Sequence, residues 1–248
     1  QPRRQRQMCI RDRANTTGAG NTAVGLRSGF ANQTSDSNTS MGQDSLRCNT
    51  GGSNTAIGRN ALESNTTADG NTAVGMNSLI NNTTGASNTS LGREALTANT
   101  TANDNTALGH RAMCKTTTGC QNAAVGTNVM RENTTGDLNT AIGYRALDAN
   151  TTADRNTAVG ADALAANTTG AGNTAVGNLA LDANTTANDN TAVGRCALTT
   201  NITGANNVAV GAYSLRDSTG SDNVAVGAGS ALVNTGGCNV SILSLIHI

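Results

Sequence analysis

The 248-residue chain has one proline, no tryptophan and only three aromatic residues, Phe30, Tyr144 and Tyr213. A close-packed globular core of this size is built around large side chains. Their scarcity argues against the one or two ordinary domains that length alone suggests. Charged residues are only 13% of the chain, too few for a charged disordered tail. No apolar run reaches the roughly 18 residues a membrane-spanning helix needs. What is abundant is small: 38 Ala, 38 Thr, 34 Asn and 29 Gly make up over half the sequence. Such a composition calls first for a search for repeats.

The two ends stand apart. Residues 3–13 read RRQRQMCIRDR and residues 243–248 read LSLIHI. Both resemble translations of transposase-type sequencing adapters, so 1–14 and 243–248 are expected to be non-native tails and 15–242 an internal fragment. The alternative for the first string is a basic arm that binds nucleic acid or membrane. Without the five arginines and Asp12 of that string, the zero net charge becomes about −4.

Between the ends lies a single array. A five-residue unit close to N-T-A-V-G begins at residues 21, 38, 54, 71, 88, 105, 122, 139, 156, 173, 190, 207, 223 and 239. Ten of the thirteen spacings are 17 and three are 16. The consensus is N-T-A-V-G-x-x-A-L-x-x-N-T-T-(G/A)-x-x. The period predicts an all-β fold, a parallel β-solenoid or β-roll of about 13 coils. At about 4.8 Å per coil it forms a rod of roughly 60 Å.

Substitutions among the copies suggest a role for each place. The fourth is aliphatic throughout, and Val24, Ile57, Val74, Leu91, Leu108, Val125, Ile142, Val159, Val176, Val193, Val210 and Val226 are expected to point inward. The second place, usually Thr, falls on the same side. The third, Ala or Ser, then lies on the outer face, packed closely against a neighbouring layer or another chain. The fifth is Gly in all thirteen complete copies: Gly25, Gly42, Gly58, Gly75, Gly92, Gly109, Gly126, Gly143, Gly160, Gly177, Gly194, Gly211 and Gly227. These are read as corners with positive φ or close backbone approach. The ninth place, mostly Leu (Leu46, Leu62, Leu96, Leu147, Leu164, Leu181), is a second inward position. So few large residues cannot offset the ordering of a lone coil. Stability is therefore expected from stacking, with Asn and Thr columns running from coil to coil.

Two finer features remain. The six residues after the corner Gly contain good helix formers, which makes strand plus one short helical turn per coil the alternative. Six residues are few for a helix, and a short strand or turn is favoured. Aspartates before the unit recur mostly in every second coil: Asp36, Asp69, Asp104, Asp137, then Asp154, Asp189 and Asp222. Skipping a coil would relieve like-charge repulsion along one edge.

N-T-A-V-G, and especially N-V-A-V-G at 207–211 and 223–227, resembles the S-V-A-I-G unit of trimeric autotransporter adhesin heads, whose repeats are shorter. The full 17-residue form is similar to repeats of bacterial and phage tail-fibre proteins. The resemblance covers 15–242. It implies a β-roll, homotrimeric, on a cell or virion surface, spacing and presenting a binding tip and meeting a host glycan or surface receptor.

Side chains that carry chemistry are sparse. Cys9 lies in the first string. Cys48, Cys114, Cys120, Cys196 and Cys238 occupy different repeat places, and no second pair or histidine cluster completes a zinc site. His110, at a variable place after Gly109, has nothing to form a catalytic triad with. Carboxylates such as Glu94, Asp104 and Asp162 vary at exposed places without interrupting the repeat, which argues against a glycosidase pair. No phosphate-binding loop or calcium-binding G-G-x-G-x-D period occurs. No catalytic residue, metal or cofactor is expected, and neither is nucleic-acid or membrane contact. The rival to a fibre segment is an ice-binding β-solenoid using Thr and Asn ladders. Its weak point is that paired threonines such as Thr66 and Thr67 are adjacent, so they point to opposite sides of a strand or sit in a turn.

Overall fold

The structure, a computed structural model, describes residues 16–242. The tails expected at 1–14 and 243–248 lie outside the described residues. Each repeat contributes one short strand, its second to fourth places, from Thr22–Val24 in the first to Val240–Ser241 in the last. Fourteen such strands form one parallel sheet in chain order. They pair place for place, Thr174 with Thr191, Ala175 with Ala192 and Val176 with Val193. The fold is a β-solenoid of about 13 turns with no helix among the described residues. A minor second sheet pairs Asp217–Ser218 with Val233–Asn234 near the C-terminal end.

The segment after the corner Gly is a chain of turns, not a helical turn. The seventh and ninth places hold positive φ, as at Asn60 (58°) and Leu62 (50°), which a right-handed helix excludes. This left-handed geometry also explains the choice of residue. The ninth place takes residues without a branched Cβ: Leu, Met113, Met130, Ala231 or, in the first coil, Gly29. The β-branched residues common at the fourth place are absent there, because a branched Cβ fits poorly at positive φ. Burial offsets the strain: Leu62, Leu96, Met113 and Leu147 are fully enclosed.

The strand faces the opposite way from the expectation. Ala56, Ala73, Ala107 and Ala141, at the third place, are 0% exposed, whereas Ile57 is 38% and Leu91 43% exposed. Leu108, Ile142, Val176, Val210 and Val226 are likewise exposed, and Val24, Val74, Val125, Val159 and Val193 are half-buried. The physical reason is the thinness of the coil. Leucines of the ninth place fill the interior from the turn side, leaving room at the strand for little more than a Cβ. The second place does share a side with the fourth, but that side is the outer one.

The thirteen corner glycines have φ between 126° and 145°. At Gly177 an added Cβ would lie 2.6 Å from the carbonyl oxygen of Gly194 in the next coil. Close coil-to-coil approach and positive φ therefore coincide at this corner.

Candidate functional site

The interior holds the repeat's two asparagines, fully enclosed through the middle of the array, as at Asn54, Asn65, Asn71 and Asn82. The backbone N–H of Asn71 donates to Asn54 Oδ1 in the preceding coil (2.9 Å), and Asn71 Nδ2 donates to the carbonyl of Gly85 (2.9 Å). In the second column Asn82 Nδ2 donates to Asn65 Oδ1 (2.8 Å) and to the same Gly85 carbonyl (2.8 Å). One carbonyl per coil thus accepts from both columns. Buried amides paired in this way satisfy their own polarity and bind each coil to its neighbour.

The pair threonines sit in a turn. The hydroxyl of the first, from Thr66 through Thr168, donates to the backbone carbonyl of the equivalent residue in the next coil; Thr66 reaches Thr83 at 2.9 Å. This column is committed to holding the stack.

Sequence reasoning missed a set of buried serines. Ser78 Oγ donates to Ser90 Oγ across the interior (2.7 Å), Ser28 to Ser40 (2.8 Å) and Ser230 to Ser241 (2.8 Å). The signal was present: each third-place Ser follows a coil with Ser at the eighth place. That co-occurrence places the third and eighth places face to face and would have oriented the strand.

The structure gives the aspartates a hydrogen-bonding role beside the expected charge spacing. Asp36, Asp69, Asp137 and Asp154, two places before the unit, each accept a backbone N–H from the preceding coil. Asp137 and Asp154 lie in successive coils, and the N–H of Asp137 donates to Asp154 Oδ1 (2.8 Å). Neutral Asn103 and Asn188 accept in the same way. Asp104, Asp189 and Asp222 occupy the next place, at φ 58–60°, a conformation Asp tolerates well.

Charged side chains gather along the turn side. Lys115, Glu132, Arg131, Asp148, Arg145 and Asp162 form a run of ion pairs between 2.5 and 3.4 Å. The Lys115 ammonium beside Glu132 holds that carboxyl below its ordinary range. Burial pushes the Asp148 carboxyl up, against the pull of Arg131 and Arg145. Burial also raises Asp182, and the charge of Asp162 adds to the effect. Tyr213 lies under the Arg195 guanidinium, 4.5 Å from its ring centre. His110 meets Arg93 at 2.7 Å on the surface. Cys114 is buried and burial raises its thiol pKa; like the other described cysteines, it is in no disulfide. No group of three His, Cys, Asp or Glu side chains suited to a metal occurs among the described residues. No helix among them is long and apolar enough to cross a membrane.

The remaining constellation is the outer face of the sheet. Its two columns run from Thr22 and Val24 to Val240 and Ile242, with Thr, Val or Ala123 at the second place and Val, Ile, Leu or Met41 at the fourth. No charged residue interrupts either column. Compared with protein-family models, curated proteins and solved structures, the chain matches none.

Proposed function

We propose that residues 15–242 are a rigid spacer segment of an extracellular fibre, on a cell or virion surface, that sets the distance between an anchor and a binding tip. The observation that supports it most is the continuity of the two asparagine columns. Apart from local breaks, each coil is held to the next by the same enclosed bonds, so length grows with coil number without a change of fold. The variable, exposed turn residues are the surface a host glycan or receptor would meet. A homotrimer, which the family resemblance implies, cannot use the third-place Ala/Ser column, because that column is interior. It would have to pack through outer surfaces, and sedimentation of the chain tests it.

Deleting one repeat, residues 105–121, tests the spacer reading. Small-angle scattering should show a rod shortened by about one coil spacing of 4.8 Å, with cooperative unfolding retained. A compact particle, or collapse of the shortened array, would reject it.

A further inference from the structure

The threonine columns of this solenoid differ in a way the sequence conceals. The hydroxyl of each turn pair's first threonine is consumed by a backbone carbonyl, whereas the second, as at Thr152 and Thr169, stands exposed on the turn. The hydroxyls of the strand column, Thr22, Thr39, Thr55, Thr72, Thr89, Thr106, Thr140, Thr157, Thr174 and Thr191, make no hydrogen bond within the described protein. They stand outward in register, each opposite its equivalent in the next coil. Beside them, two residues along each strand, runs the aliphatic column, exposed or half-buried along its length. The result is an uncharged array of free hydroxyls and methyl groups that repeats from coil to coil, interrupted at Ala123 and continued by Val208, Val224 and Val240.

We propose that this face binds ice. Three observations select that occupant. Water oxygens joined by hydrogen bonds of about 2.75 Å in a tetrahedral network have second neighbours about 4.5 Å apart. Parallel strands repeat at about 4.8 Å, so hydroxyls of several successive coils stay in step with such a lattice. The columns carry no charge, matching an uncharged surface and placing no strongly hydrated group in the array. The face also measures roughly 60 by 10 Å, about 600 Å², below the roughly 800 Å² per partner of a standard protein–protein interface. A single face therefore favours an extended lattice over a second copy of the chain. Apolar groups beside the hydroxyls order first-shell water without competing for its hydrogen bonds. The geometric objection to paired threonines does not reach this column, because its threonines come from successive strands.

Thermal hysteresis of the full chain tests the proposal. The chain should show hysteresis and should be taken up into a growing ice front. Thr106→Lys with Thr157→Lys should abolish both. Thr152→Lys with Thr169→Lys, at exposed turn positions, should leave both intact. Circular dichroism melts confirm that each variant folds. Should the first pair unfold, Thr89→Ala, Thr106→Ala and Thr140→Ala together serve instead, since the chain already tolerates Ala123 at this place; they should remove the larger part of the hysteresis. Absence of hysteresis in the parent chain overturns the proposal. So does equal loss in both lysine pairs, or an oligomer that the Thr106/Thr157 pair dissociates while ice uptake is absent. None of these outcomes bears on rod length, so the spacer reading stands or falls separately.

Discussion

Asn99 and Thr116 occupy the same enclosed place in successive coils, and Asn99 Oδ1 is left buried without a hydrogen-bond partner. In most other coils an Asn Nδ2 fills this role, as from Asn82 to Asn65 and from Asn99 to Asn82; Asn184 Oδ1 is also left without a partner, because Asn201 Nδ2 donates to the Gly204 carbonyl instead. Thr116 has no amide to donate, and its hydroxyl meets only Asn133, at 3.5 Å. Thr116→Asn should close the column and raise stability by about 1 kcal/mol, read as a higher denaturant midpoint at unchanged slope. A lower midpoint would show that the coil has adapted to Thr.

The serine pair makes a separable prediction. Ser78→Ala removes the bond to Ser90 and should cost about 1 kcal/mol. The double variant Ser78→Ala with Ser90→Ala restores the Ala–Ala facing seen in other coils and should return close to the parent stability. Additive losses in a double-mutant cycle would contradict the facing arrangement.

Asp69 accepts the backbone N–H of Gly52 at 2.6 Å. If acceptance is its role, Asp69→Asn should be nearly neutral, as Asn103 and Asn188 already show in their own coils. Asp69→Ala should cost about 0.5–1 kcal/mol, the lower part of the usual range because the site is exposed. Both effects should be insensitive to salt. A strong salt dependence would restore charge spacing as the explanation.

Asp182 supplies a pH dependence whose sign follows from its raised carboxyl pKa. The folded chain holds this proton more tightly than the unfolded chain. Stability from the protonated form is fully present below the unfolded-state value and is lost as pH rises through the raised folded-state range. Asp182→Asn should therefore melt higher than the parent at neutral pH, with the difference shrinking as pH falls into the carboxylate range. An advantage that is constant across pH would trace the effect to packing instead of ionisation.

The sequence alone determined the period, the coil count, the absence of a globular core and the corner glycines. Those follow from one-dimensional repetition, which preserves a place by its residue type. It also put the second and fourth places on one side of the strand, since alternation is a property of the extended chain. Which side faced inward was decided only by the tertiary structure. Hydrophobicity pointed to Val and Ile, but the leucines of the ninth place had already taken the interior, and only alanine or serine fits at the strand. The turn geometry was similarly closed to propensity: residues such as Arg59, Ala61 and Leu62 favour helix, yet positive φ at Asn60 and Leu62 forbids it. The same reversal set the strand threonines apart from those of the turn. A sequence shows both as Thr, and only packing determines which hydroxyls are spent on backbone carbonyls and which are left facing water.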